Sequence, residues 1–345
     1  MSAVTSAPSL VGHTLRKQSV GTRLPTAAGY TVLMPTEAQI KALLAAHRLG
    51  QLWSWRRIWR DSINPTILIN NTMVLRLNTW QANSLTFQKE VALYPRLQRE
   101  TDLPLPRVLV LDTSHTILPY DVLILKNPPG MTALDVWSQL DTTAQWQISY
   151  DLGQALAALH NVACAGYGGL NVQTGNLGVA TDWQLYLLDK TAQVMVELWQ
   201  YAALPPPLLE AAEEYILHSY LPTTPPAVVV HGDYGLHNAL IMRNDATWNL
   251  SGLLNFEWAL AADPEYEFAT GFLVEPDEVN PLAPPFLLGY RQRRMLASGW
   301  EQRSLVYRLI YHLTLCNVIC QSYKSDPTML AYHRGMIIDI LKAGR

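Results

Sequence analysis

Val228-Val229-Val230-His231-Gly232-Asp233-Tyr234-Gly235-Leu236-His237-Asn238 is the stretch from which the rest of this chain can be read. Three consecutive β-branched apolar residues predict a buried strand. The strand delivers a carboxylate, Asp233, at its end, and five residues later comes an amide, Asn238. A loop of that length curls so that the two face one another. The spacing, H-x-D followed by four residues and N, is that of a phosphoryl-transfer loop. In that chemistry the Asp orients an attacking hydroxyl and accepts its proton. The Asn offers a carbonyl oxygen to a magnesium ion, a hard cation that prefers oxygen ligands.

Downstream lies Gly252-Leu253-Leu254-Asn255-Phe256-Glu257-Trp258. Asn255 follows Asn238 by one hairpin's length, which predicts a second apolar strand beside the first with position 255 at its end, where a second metal ligand belongs. Then comes Ala262-Asp263-Pro264-Glu265-Tyr266-Glu267-Phe268-Ala269. Upstream stand Leu152-Gly153-Gln154-Ala155-Leu156-Ala157-Ala158-Leu159-His160 and Gly166-Tyr167-Gly168. In this order the motifs resemble the aminoglycoside phosphotransferase family, the kinase-like enzymes that include choline, homoserine and fructosamine kinases. The resemblance runs from residue 36 to about 320.

That resemblance implies an α+β, bilobal protein-kinase-like fold. A small antiparallel-sheet N-lobe would span 36–126 and bind nucleotide. A larger, mainly helical C-lobe would span 127–345 and carry the catalytic loop. Residues 1–35, free of Asp and Glu and rich in Ser, Thr and Ala, read by composition as a poorly ordered extension, with a transit peptide as the alternative. The resemblance also implies ATP and Mg²⁺ as cofactors and a small-molecule hydroxyl as substrate. Asp233 and Asn238 would be catalytic, and Asn238 and Asn255 would hold the metal. Arg76, in Met73-Val74-Leu75-Arg76-Leu77, looks like the cation presented to the phosphates, and Glu90 like the helix acid that pairs with it. Leu125, Lys126 and Asn127 resemble the strand end and hinge that meet the adenine through backbone groups. Asp263 and Glu267 resemble acids that brace the catalytic loop, and His160 and His237 read as structural.

Two departures stand out. The phosphate-covering loop, Arg60-Asp61-Ser62-Ile63-Asn64-Pro65, has no glycine, although glycine eases close backbone approach to phosphate. Position 255 is Asn where the family has a metal-binding Asp. Charge interactions near a divalent ion are worth roughly 4 kcal/mol at 4 Å in an intermediate dielectric, so the loss predicts turnover slowed by roughly 10²-fold or more. In an extended segment Glu257 would point to the same side as Asn255, which makes it a candidate to substitute for the missing charge; the alternative reading is that it caps or pairs locally.

The remaining pattern agrees with two lobes. Helical spacing covers Thr36–Leu49 and Thr86–Tyr94, with Pro95 kinking or ending the second. Thr66–Asn70 and Thr72–Leu77 read as strands around Asn70-Asn71, and Arg107–Leu111 and Val122–Leu125 as two more. Pro128-Pro129-Gly130 then punctuates the chain. Beyond it, Trp146–His160, Val194–Ala203 and Leu208–Tyr220 predict helices, and Leu250–Leu254 a strand.

Of 345 residues 49% are apolar and 15% charged, the opposite of a disordered balance. A net charge of −3 lacks the footprint of a nucleic-acid binder, and no apolar run is long enough for a membrane span. Three cysteines, Cys164, Cys316 and Cys320, suit a reducing, cytoplasmic setting; a monomer or homodimer is expected. Residues 201–300 hold twelve acids against four arginines, which favours a cationic substrate by field focusing. Tyr290 with Arg291–Arg294, placed on the first turns of a late helix, offers an anionic group a contact instead. Tryptophans 137, 146, 199, 258 and 300 are read as core, with a cage for an amine or sugar as the alternative. Three functions follow: an active small-molecule O-phosphotransferase, a pseudokinase-like binding protein, or the same fold in another role.

Overall fold

A computed structural model of the chain describes residues 34–58, 64–79, 85–171, 174–245, 247–269, 283–321 and 327–344. The N-lobe is a five-stranded antiparallel sheet in the order β1-β2-β3-β5-β4. Its strands are β1 (Trp55–Ile58), β2 (Thr66–Ile69), β3 (Met73–Asn78), β4 (Val108–Asp112) and β5 (Asp121–Lys126). Asn70 and Asn71 take φ of 52° and 55°, a region asparagine tolerates better than most residues, and the β2–β3 hairpin turns there. The edge strand β1 is absent from the sequence reading. Trp55, Arg56 and Arg57 are all exposed, so no alternation marks it.

Helix α1 (Glu37–Ala46) begins in a capping box, with Thr36 accepting from the Gln39 N–H and Gln39 accepting in return. It buries Ile40, Leu43 and Leu44 against Ile67, Ile69 and Leu75 of the sheet. Helix α2 (Thr86–Glu100) packs Phe87 on Leu123 and Leu125 of β5. Pro95 does not end α2. The helix runs five residues further, because Leu93, Tyr94 and Leu97 are buried in the C-lobe core on either side of the proline and their packing outweighs the lost hydrogen bond. The residues expected to form an N-terminal extension, up to residue 33, lie outside the described residues, as do 60–63 of the expected phosphate-covering loop.

The C-lobe is helical: α3 (Ala133–Val136), α4 (Thr142–Leu159), α5 (Trp183–Tyr201), α6 (Pro206–His218), α7 (Pro264–Glu267), α8 (Ala283–Arg291), α9 (Trp300–Gln321) and α10 (Pro327–Ala343). The segment expected at Val194–Ala203 is the second half of α5, whose N-terminus is capped by Asp182. Helices α4 and α8 touch backbone to backbone. A Cβ on Gly153 would lie 2.0 Å from the Phe286 carbonyl oxygen, and one on Gly289 2.0 Å from that of Tyr150. Prolines 284 and 285 sit in the first turn of α8, as proline favours, so Arg291 ends that helix. Arg291–Arg294 are therefore at a helix C-terminus and not on first turns, and Arg294 donates to the His160 carbonyl at 2.6 Å.

Small sheets underlie the cleft. Strand β9 (Val228–Val230) pairs with β12 (Leu260–Ala262), and β10 (Ala239–Asn244) pairs with β11 (Thr247–Leu253) and β6 (Met131–Thr132). A further hairpin joins β7 (Leu170–Asn171) to β8 (Asn176–Leu177). The strand expected at 250–254 thus lies beside β10, not beside β9. The hairpin that carries it starts after Asn238, so its end returns to Asn238 and not to the strand before the loop. Two lobes, one sheet-built and one helical, give the α+β bilobal kinase-like architecture that the motifs implied. No helix among the described residues is long and apolar enough to cross a membrane.

Candidate active site

The loop after β9 is held from beneath by one buried carboxylate. Glu267, 1% exposed, accepts the backbone N–H of His231 and that of Gly232, the latter at 3.0 Å. Burial alone would raise its pKa, but hydrogen bonding and charge from His160 and His231 outweigh burial and hold it below the usual range. Glu267 ends α7, which opens with Asp263 accepting from the Glu265 N–H at 3.0 Å. Asp263 also accepts from the Tyr307 hydroxyl at 2.7 Å, and burial pushes its pKa up to about 6. Glu265 takes both arms of Arg303 at 2.5 and 2.7 Å. The Asp-Pro-Glu-Tyr-Glu segment therefore ties α9 to the catalytic loop.

His231 is structural. Its Nε2 donates to the Leu254 carbonyl at 2.8 Å, which leaves Nδ1 to accept the Asp233 N–H at 3.3 Å. Gly232 has φ 79°, and a Cβ there would lie 2.5 Å from the Trp258 carbonyl oxygen, so position 232 admits only glycine without strain.

Asp233 and Asn238 meet. The Asn238 Nδ2 donates to the Asp233 carbonyl at 2.8 Å and to its Oδ2 at 2.9 Å, while the His237 Nε2 lies 3.1 Å from Oδ1. Burial pushes the Asp233 carboxyl up, but His237, His231 and Asn238 together bring it below the ordinary aspartate value, so it is ionised at neutral pH. His237 is thus a direct partner of Asp233, a contact the sequence reading did not assign.

Asn255 also arrives beside Asn238. The Leu254 N–H donates to the Asn238 carbonyl at 2.9 Å, and the Asn255 Nδ2 donates to the Asn238 Oδ1 at 2.7 Å. That oxygen is the one a metal would need. Position 255 brings no carboxylate, and no group of three or more His, Cys, Asp or Glu converges among the described residues. Magnesium usually relies on one or two carboxylates with the phosphates. The donors as arranged do not fit a divalent ion.

Above this floor is a cleft lined by Ile58, Val74, Arg76, Leu125, Asn127, Pro128, Leu240, Leu254 and Asn255, among others. Leu125 and Asn127 line it, whereas Lys126 between them is exposed. Arg76, 3% exposed, meets both Glu90 oxygens at 2.8 and 2.9 Å, and its guanidinium lies 5.0 Å from the Phe87 ring centre. It also pairs with Glu257.

Glu257 does not share a side with Asn255. Asn255 is left-handed, at φ 63° and ψ 57°, and residues 256–258 form a tight helical turn, so the extended geometry is lost and Glu257 reaches up into the N-lobe. Its carboxylate accepts from Asn64 at 3.0 Å and its carbonyl from the Lys89 ammonium at 2.6 Å. Burial pushes Lys89 down to about 8. No local signal marks Asn64 or Lys89, because their partner is more than 160 residues away in sequence.

Residues 54–305 match the model of the phosphotransferase enzyme family. A search of curated proteins found no match. Solved structures with this fold include a thermostable mutant of aminoglycoside phosphotransferase APH(4)-Ia in ternary complex with ADP and hygromycin B. That structure has a TM-score of 0.66 and 18% identity, covering 89% of this chain and 99% of that one. The GDP complex of wild-type aminoglycoside 2'-phosphotransferase-IIIa has a TM-score of 0.65 and 14% identity over 88% and 97% of the two chains. The streptomycin–ATP–APH(2'')-IIa ternary complex has a TM-score of 0.62 and 16% identity over 89% and 97%. With most of its length matched by the family model, the chain belongs to the phosphotransferase enzyme family.

Proposed function

We propose that this protein transfers the terminal phosphoryl group of a nucleoside triphosphate, ATP in the first instance, to a hydroxyl of a small molecule. The observation that carries the reading is Asp233. It is ionised, held on two sides by Asn238 and His237, and joined through Asn238 to Asn255, which lines the cleft together with the buried cation Arg76. Asp233 orients the acceptor hydroxyl and takes its proton as the new P–O bond forms and the bond from the terminal phosphorus to the departing nucleoside diphosphate breaks. Arg76, fixed by Glu90, meets the phosphates, and a guanidinium matches their planar oxygen pairs. The acceptor is of the amino-alcohol, sugar or aminoglycoside class, as the streptomycin and hygromycin B of the structural neighbours suggest.

The acidic composition supports a cationic acceptor less than the raw count implies. Asp263, Glu265 and Glu267 are buried braces, and Glu275, Asp277 and Glu278 lie outside the described residues. An assay of nucleotide-dependent phosphorylation over a panel of such acceptors tests the proposal. Asp233→Asn is expected to lower turnover about 10²- to 10⁴-fold with the thermal midpoint nearly unchanged. Undiminished transfer by that variant sinks the assignment.

One observation favours a second reading, a catalytically degenerate nucleotide-binding protein. The Asn255 amide occupies the Asn238 oxygen, and Glu257 occupies Arg76. On that reading the wild type binds nucleotide equally with and without Mg²⁺, and Asn255→Asp makes binding Mg²⁺-dependent. Robust Mg²⁺-dependent turnover by the wild type excludes it.

A further inference from the structure

A second pocket lies where α5 ends and α6 begins. It is lined by Trp199, the turn of residues 202–206 and Arg334 of α10. The turn is preset. Ala202 is left-handed, at φ 48°, and the Ala202 and Ala203 N–H groups fold back onto carbonyls of the last turn of α5. Pro205, Pro206 and Pro207 then fix the entry to α6 and bring no N–H. The start of α6 therefore lacks the donors with which a helix end holds an anion, and the charge in the pocket is that of Arg334. Arg334 is exposed and makes no ion pair or hydrogen bond among the described residues. Glu197, the acid nearest Trp199 in sequence, is taken by Asn317 and Gln321 of α9, and no acid lines the pocket. The Trp199 indole N–H is buried and meets no acceptor among the described residues, and such orphans are few in a folded chain.

Mostly apolar walls with a few placed polar groups are the usual form of a small-molecule site. Here both polar side chains donate, so the ligand accepts. A guanidinium matches the paired oxygens of a carboxylate, and the indole and proline faces match a flat apolar body. We propose that this pocket binds a small organic carboxylate with a planar apolar body, its carboxylate on Arg334 and one oxygen supplying the acceptor that the Trp199 N–H lacks. The pocket is separate from the phosphoryl-transfer cleft. Helix α9 reaches the catalytic-loop brace through Arg303 and reaches Glu197, beside Trp199, through Gln321, which are about 27 Å apart at 1.5 Å per residue.

Indole N–H correlation spectra of the full-length protein, labelled with ¹⁵N-tryptophan, test this with benzoate, its neutral analogue benzamide, and inorganic phosphate as probes. The peak missing from Trp199→Phe identifies the residue. Benzoate is expected to move that peak saturably. A hydrogen bond to a charged group is worth roughly tenfold or more in affinity, so benzamide is expected to bind at least about tenfold more weakly, and Arg334→Gln to weaken benzoate by a similar factor. Because Arg334 is exposed, that variant is expected to keep the remaining indole peaks in place. A Trp199 peak that does not move with benzoate, an unchanged affinity in Arg334→Gln, or benzamide or phosphate binding as tightly as benzoate overturns the inference. None of these outcomes bears on Asp233 or on phosphoryl transfer.

Discussion

Glu267 and Glu257 lie ten residues apart, both after the catalytic loop in sequence, and they hold different things. Glu267 gathers backbone: its two oxygens take the N–H groups of His231 and Gly232 within the C-lobe. Glu257 gathers side chains: Arg76, Asn64 and, through its carbonyl, Lys89, all from the N-lobe. A backbone donor is present whatever residue occupies the position, so the Glu267 anchor demands only one carboxylate at one place. The Glu257 joint demands three particular side chains on three separate segments. The first is a rigid floor for Asp233. The second couples the cleft's buried cation to the relative position of the lobes.

The comparison is most sharply tested by Glu267→Gln. The amide has one acceptor oxygen for two buried N–H groups, and loss of the charge beside His160 adds to the cost. A destabilisation of about 3–5 kcal/mol is expected in urea unfolding. A loss below about 1 kcal/mol would mean the loop holds its shape without this anchor.

On the Glu257 side, Lys89 provides a pH signature. Burial holds it near 8 in the folded chain, while the unfolded chain keeps that proton to about 10.5. Between pH 8 and 10 the unfolded state therefore binds more protons, and stability rises with pH, by at most about 3 kcal/mol. Lys89→Met is expected to flatten that rise, and a wild-type profile already flat from pH 8 to 10 would contradict the burial of this ammonium.

The smallest effect is expected from Glu257→Gln, because Arg76 keeps Glu90. A cost of about 1–2 kcal/mol is expected, typical of hydrogen bonds to a charged group. Combined with Asn64→Ala, the two losses should fall short of additivity by about 0.5 kcal/mol or more. Strict additivity would dissolve the joint into independent contacts.

The same contrast explains how far the sequence could be read. The Asp233 loop and the Asn70-Asn71 turn are local, and spacing along the chain is enough to find them, whereas the Asp263–Glu267 brace acts on a loop more than 30 residues upstream and was read from family resemblance. The position of Asn255 beside Asn238 was legible as a distance of one hairpin, but the pairing partner was not. Strand β11 joins β10, and nothing in Leu250–Leu254 distinguishes that from joining β9. Pro95 misled because a local rule about helix breaking lost to packing on both sides of the helix. The alternative in which Glu257 shares a side with Asn255 fails because one left-handed residue, Asn255, turns the backbone before it.

What the chain determined by itself is the set of chemical groups and their order: a carboxylate and an amide five residues apart, an acid to brace them, a cation on a strand and a diproline at the hinge. Those are properties of residue type and short spacing, and folding does not change them. Only the tertiary structure decided which of those groups are already engaged. It put an amide N–H on the Asn238 oxygen and a second carboxylate on Arg76. Each such pairing joins segments distant in sequence. It exists because a buried polar group left without a partner costs more than the chain entropy spent in bringing one to it.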